Sequence, residues 1–262
     1  MRITILSFFT GLVQRGVEVY VNQLLAHLSA SFSVEVITSK DLAIKISPYQ
    51  GNQIPTLRRL YLDRTSLKLR RATRQVLSRL SHHPPEILYP VNNGWQSILS
   101  KLFCLNHSTK LVLAGHSGPG WDDRVNLWLR PDNFITFSQA QTRWANQVSR
   151  EVKVTTIPHA VDLDQFKPGK TKKKLKLERP IFVTVSALSP QGRGGETTKN
   201  IDTAIRAVSR LKRGSLLLLG KGADSDRIDQ LAKTQLGPTR YQRLSVSHNI
   251  INQYYRASDV LL

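Results

Sequence analysis

His116 closes the apolar run "KLVLAGH" and stands just before the loop "SGPG". An imidazole at the carboxyl tip of a strand can reach a bound ligand, because open α/β sheets take their ligands at that edge. A second tip carries glycines instead. Gly220 and Gly222 lie in "LLLLGKGADSD", where a strand gives way to a helix and a nucleotide phosphate can come close to the backbone. Asp224 and Asp226 in the same stretch resemble a metal-binding acidic pair by type and spacing. They open a helix, where carboxylates are stabilised by the dipole, so they are not assigned to a metal.

Charge narrows the partners. The chain has 262 residues, with 38 Lys and Arg against 18 Asp and Glu, for a formal net charge of +20. A field of that sign favours polyanions: nucleic acid, anionic lipid headgroups or phosphorylated small molecules. The lone Cys104 excludes a disulfide framework and agrees with a reducing compartment. That compartment argues against use of the "NHS" glycosylation pattern at residues 106–108. No apolar run reaches the length of a membrane span, and "MRITILSFF" lacks a small-residue cleavage site after it. It reads as a first strand.

The elements that must position these residues alternate in kind. "RITILSFF" leads to a helix, "VEVYVNQLLAHLSA", in which Val17, Val21, Leu24, Leu25 and Leu28 recur at helical spacing. The strand "FSVEVITS" follows. "PEILYPV", "KLVLAG" and "NFITFS" are buried runs, each followed by a helical pattern, as expected of a parallel sheet covered on both faces. The Lys-rich segment "FKPGKTKKKLKLERP" reads as an exposed interdomain connector, with nucleic-acid binding as the alternative. Beyond Pro180 the rhythm restarts: strand "IFVTVSAL", helix "KNIDTAIRAVSRL", strand "GSLLLLG", helix "ADSDRIDQLAK", helix "NIINQYYRAS" and strand "DVLL". The expectation is an α/β protein of two Rossmann-like domains facing a cleft, the second short of a complete sheet. Domain boundaries are expected at 1–168, 169–179 for the connector, and 180–262.

Five stretches, in one order, resemble the GT-B-fold glycosyltransferases of the large retaining group-one family, also called family four. They are "RGVEVYVNQLLAHLS", "IPHAVDLDQFKP", "TKNIDTAIRAVSRLK", "LLLLGKGADSDRIDQLA" and "YYRASDVLL". His159 and Ala160 replace the family's Asn-Gly, while Asp162, Phe166 and Pro168 keep register.

The resemblance implies transfer of a sugar from a nucleotide diphosphate to the hydroxyl of a polysaccharide, glycolipid or lipid-linked carrier in cell-envelope synthesis. It implies no cofactor beyond the nucleotide sugar and no metal, the departing charge being met by cations and helix N-termini. Lys199 matches the family's phosphate lysine in the first turn of its helix. Its companion arginine is replaced by Ala187, which puts phosphate affinity or competence in question; Arg193, in "QGRGGETT", is the substitute candidate. Gly16, with Arg15 in place of a further glycine, would let a backbone amide approach the donor. His116 matches a histidine near the transferred sugar and is the catalytic candidate, without being assigned as a base. Trp121 and Asp122 would line the acceptor side.

The family carries paired glutamates beyond its "SDVLL"-like strand, so the chain reads as a C-terminally truncated fragment, inactive as given. A cytoplasmic location is expected. The helix "TSLKLRRATRQVLSRL" has an apolar stripe of Leu69, Ala72, Val76 and Leu80 with Lys68, Arg70, Arg71, Arg74 and Arg79 mostly off it. Relatives that act on lipids use such a face on membranes, so residues 66–80 are expected to meet an anionic inner-leaflet surface. Each basic residue there is worth about 1 kcal/mol. Two alternatives remain open: a non-catalytic GT-B relative, or a basic nucleic-acid-binding protein. Against the latter, aromatics are only 7% of residues and do not interleave with the basic runs; no specific nucleic acid is expected.

Overall fold

The computed structural model describes residues 1–13, 16–47, 55–170, 173–188 and 199–262. The chain divides into two compact units, Met1–Ala160 and Val161–Leu262.

Unit 1 is built on six parallel strands: β1 (Arg2–Leu6), β2 (Ser33–Ile37), β3 (Ile87–Pro90), β4 (Lys110–Ala114), β5 (Asn133–Thr136) and β6 (Val154–Thr156). Their order in the sheet is β2-β1-β3-β4-β5-β6. Helices α1 (Gly16–Leu28), α2 (Pro55–Arg59), α3 (Arg64–Leu80), α4 (Trp95–Leu105), α5 (Trp121–Trp128) and α6 (Gln139–Val148) connect them. Chain order reverses between β1 and β3, so the ligand-binding crevice of such a sheet falls at their carboxyl ends.

Both faces of this sheet are covered, which is why its strands read as apolar runs without alternation. On one face Ile3, Ile5 and Tyr89 pack with Val17, Tyr20, Val21 and Leu24 of α1. On the other, Leu6 and Leu88 pack with Leu69, Ala72, Val76, Leu77 and Leu80 of α3. The α3 stripe is thus buried as its spacing requires. Asp63 caps that helix by accepting from the Ser66 amide at 2.9 Å, satisfying a donor that the helix itself leaves open. α2 had no counterpart in the sequence reading.

Unit 2 has four parallel strands, β7 (Ile181–Val185), β8 (Ser215–Leu219), β9 (Tyr241–Leu244) and β10 (Val260–Leu261), in the order β10-β7-β8-β9. Its helices are α7 (Ile201–Ser209), α8 (Ser225–Leu236) and α9 (Ile251–Ala257). In β8, Leu216 and Leu218 face α7 and α8, while Leu217 and Leu219 face α9.

The division between units falls at Ala160, eight positions ahead of the expected close at 168. Residues 161–168 pack with unit 2 because Phe166 lies in the same apolar cluster as Ile181, Leu217 and Tyr254. Asn252 Nδ2 and Arg256 Nε also donate to the carbonyls of Gln165 and Lys167, at 2.8 and 3.0 Å. The expected connector is likewise not wholly exposed. Its lysines alternate with Leu175 and Leu177, which lie against the α9 face of the second sheet.

Candidate functional site

The carboxyl edge of the first sheet gathers five rings. His116, two residues past β4, places Nε2 2.9 Å from the hydroxyl of Tyr89, a buried residue of β3. Tyr20 of α1 meets His116 edge-on at 5.2 Å, and Phe137, just after β5, lies 5.0 Å from it. His159, just after β6, stacks on Phe137 at 4.0 Å with the planes 11° apart, and meets Tyr20 edge-on at 5.5 Å. Burial, with the charge of His159, lowers the His116 pKa to about 4, although nearby Glu18 opposes the shift. His116 is therefore neutral at physiological pH, able to donate at one ring nitrogen and accept at the other. Burial raises the Tyr89 phenol well above its ordinary range, with Tyr20 adding to the shift through charge and a hydrogen bond.

A buried amide holds the loops beneath this box. Ser138 caps α6 by accepting from the Gln141 amide at 3.2 Å. The Gln141 side chain then accepts from the Phe137 amide at 2.9 Å and donates to the Gly115 carbonyl at 2.6 Å. One side chain thus ties the loop bearing His116 to the loop bearing Phe137. A Cβ on Gly115 would fall 2.1 Å from Gln141 Nε2, so only glycine leaves room for that amide. Gln141 also donates to Asp123 Oδ2 at 3.3 Å. Burial, reinforced by neighbouring Asp122, pushes the Asp123 pKa up to about 7 despite the Gln141 hydrogen bond. Further out, Asn126 Nδ2 donates to Asn93 Oδ1 at 2.8 Å, and Asn93 Nδ2 to Ser117 Oγ at 2.7 Å. Asp122 Oδ1 accepts from the Tyr61 hydroxyl at 3.1 Å, while Trp121 is exposed.

The second sheet's edge is made differently. A Cβ on Gly220 would lie 1.8 Å from the Ser186 carbonyl oxygen, and one on Gly222 1.9 Å from that of Leu188. The Gly220 amide donates to Leu244 O at 2.8 Å and the Gly222 amide to Ser225 Oγ at 3.1 Å. Both amides are occupied within the unit. These glycines let the segments after β7 and β8 lie against each other, a contact that a Cβ at either position would block. Arg227 bridges Asp224 and buried Asp202, with Nη1 2.6 Å from Asp202 Oδ1 and Nη2 2.8 Å from Asp224 Oδ2. Asp224 is thus engaged in an ion pair, and its side chain does not cap α8. Among the described residues no group of three or more His, Cys, Asp or Glu comes together as a metal site would require.

Lys199 is exposed and precedes Asn200, the residue that caps α7, so it lies just outside the helix and not in its first turn. Ala187 is exposed just after β7. Gly16 is the first residue of α1, and a Cβ there would meet nothing within 4 Å. Arg193 and Arg15 lie outside the described residues. The sequence reading missed Tyr20, Tyr89, Phe137 and Gln141. His159 was noticed only as a departure from a motif. Tyr89, Phe137, Gln141 and His159 share a positional signal, each lying at or shortly beyond the carboxyl end of a strand, whereas Tyr20 lies within α1.

Two units of parallel strands with helices on both faces, in this order along one chain, constitute the GT-B fold. Solved structures bear this out. An α,α-trehalose-phosphate synthase (UDP-forming) from Burkholderia xenovorans in complex with glucose-6-phosphate is similar over 100% of this chain and 78% of its own, at 12% identity and TM-score 0.67. The lipopolysaccharide outer core galactosyltransferase WaaB in its apo form matches 100% of this chain and 73% of its own, at 12% identity and TM-score 0.55. A putative UDP-N-acetylglucosamine 2-epimerase from Listeria monocytogenes matches 99% and 73%, at 10% identity and TM-score 0.55. No protein-family model matches the sequence, and neither does any curated protein.

Proposed function

We propose that the protein is a nucleotide-sugar-dependent glycosyltransferase acting on a hydroxyl of a glycan or lipid-linked acceptor. The observation that supports this best is the neutral His116 held by Tyr89 at the carboxyl edge of a GT-B unit. In the tautomer that accepts from Tyr89 at Nε2, the proton sits on Nδ1, a donor suited to a sugar hydroxyl. Such a group orients the sugar and need not remove a proton, in keeping with transfer that retains configuration. The central energetic demand is negative charge growing on the leaving diphosphate, which fixed cations and helix N-termini stabilise in a low-dielectric site. Lys199 and the start of α1 at Gly16 are assigned to that task, without a metal. Trp121 and Asp122 are assigned to the acceptor. We place the reaction in the cytoplasm on the reducing compartment with which the lone Cys104 agrees. Among the described residues no helix is long and apolar enough to cross a membrane.

The likeness to an epimerase supplies the second reading, in which the same sugar nucleotide is rearranged without an acceptor. Calorimetry of the full chain with UDP and GDP, followed by product analysis with UDP-sugars, separates the readings. Binding of a nucleoside diphosphate that is weakened by Lys199→Ala, with glycosyl release impaired in His116→Ala, supports the transferase. Isomerised donor with no transfer selects the epimerase reading, and absence of nucleotide binding removes both.

A further inference from the structure

We propose that Asp123 and Gln141 are positioning residues: they pin the main chain on both sides of His116 from beneath and so set where its imidazole stands among the rings. Each residue flanking His116 is held by one member of the pair. The Gly115 carbonyl accepts from Gln141 Nε2 at 2.6 Å, and the Ser117 amide donates to the Asp123 carboxylate. Gln141 Nε2 also donates to Asp123 Oδ2 at 3.3 Å, which joins the two contacts into one clamp. The loop lies directly on it. A Cβ on Gly115 would fall 2.8 Å from Asp123 Oδ2 as well as meeting the Gln141 amide. The clamp reaches a further loop, because Gln141 Oε1 accepts from the Phe137 amide at 2.9 Å. Phe137 in turn lies 5.0 Å from the His116 ring.

Asp123 is a costly choice for mere filling. Its side chain is fully buried, no ion pair engages it among the described residues, and Oδ1 is buried without a partner. A carboxyl in that state lowers stability. What it supplies is an acceptor that, when ionised, makes hydrogen bonds roughly twice as strong as a neutral group does. The charged group beside it is Asp122, on its own helix, whose Oδ1 accepts from Tyr61 at 3.1 Å. From α6 and from the His116 loop it meets the neutral amides of Gln141 and Ser117.

The pair acts on His116 through the main chain alone. Burial, His159 and Glu18 set the protonation of the ring, and Tyr89 and Tyr20 are the other titratable groups that face it. Asp123 is not among those charges, so a changed imidazole after loss of the clamp reports position. The inference rests on the proposed function only in that His116 serves the sugar. Its measurement uses no substrate, so it stands or fails apart from that reading.

Hydrogen exchange and histidine NMR on the ¹⁵N-labelled full chain test the proposal. In the wild type the Ser117 amide should exchange about a hundredfold or more slower than an unstructured amide, although the residue is exposed. Of the seven imidazoles, the one missing in His116→Gln should hold a single neutral tautomer down to about pH 4. Gln141→Met keeps the length of the side chain and drops its amide. It should raise that midpoint by about one pH unit towards 6.5 and mix the tautomers, as water reaches the loosened ring. Asp123→Ala should do the same and speed Ser117 exchange to near the unstructured rate. Asp123→Asn retains an oxygen for both donors and should leave tautomer and midpoint as in the wild type. Circular dichroism checks that each variant is folded, and the wild-type exchange reading needs no variant. A purely structural pair would lower Tm and leave the His116 midpoint and tautomer unchanged. That outcome, an unprotected Ser117 amide in the wild type, or an Asn variant that behaves as the Ala variant does would overturn the proposal.

Discussion

The two sheets end in carboxyl edges of opposite character. The first converges side chains: Tyr20, Tyr89, His116, Phe137 and His159 form a box of rings in which His116 Nε2 meets the Tyr89 hydroxyl. The second converges backbone: Gly220 and Gly222 exist so that main-chain atoms can meet, and their amides are already used. The same fold therefore gathers ring side chains at one edge and close-packed main chain at the other.

The largest effect that would sharpen this contrast is in unit 2. Gly220→Ala or Gly222→Ala drives a Cβ to within 1.9 Å of a carbonyl oxygen, and is expected to lose about 3 kcal/mol or more by denaturant unfolding. Arg227→Met should cost about 3 kcal/mol, because the guanidinium that bridges Asp224 and buried Asp202 is lost. A loss within measurement error would mean that the bridge is dispensable.

The next effects are in unit 1 and depend on pH. Asp123 has a folded pKa near 7, above its ordinary 3.8. The unfolded chain loses this proton first, so the group's contribution to stability falls as pH rises through that window. Asp123→Asn should remove the slope and stabilise the protein by about 3 kcal/mol above it. His116 has a folded pKa near 4, below its ordinary 6.5. The unfolded chain takes that proton first, and stability falls as pH drops from 6.5 towards 4. His116→Gln should recover about 2 kcal/mol at the acid end after allowance for partial solvent screening. The two slopes oppose each other over nearly the same range. Denaturant unfolding of the wild type should be nearly flat with pH, and each single variant should uncover the other's slope; a steep wild type with flat variants would contradict this. The smallest effect is Gly16→Ala, where a Cβ meets open space. Stability should change by less than about 0.5 kcal/mol, while loss of nucleotide binding would mark the position as functional.

Alternation of strand and helix, the covered parallel sheets, the buried α3 stripe and the place of His116 were legible in the sequence, because each depends on local spacing. α2, the packing of residues 161–168 with unit 2, and Leu175 and Leu177 on its sheet were not, since a segment's partner is chosen by the apolar surface it reaches. Gln141 was equally hidden. Its role is a pair of hydrogen bonds, one to a residue four positions away and one to Gly115, in the preceding strand's loop.

The residues alone determined two Rossmann-like halves, a strongly basic surface and a histidine at a strand tip. Only the tertiary structure decided which groups surround that histidine, that its imidazole is neutral, and that Gly220 and Gly222 sit where main chains meet closely. Periodicity records which side of an element is buried. Hydrogen-bond partners and desolvation arise only when distant segments meet, and those set both a side chain's charge and the atoms it leaves free.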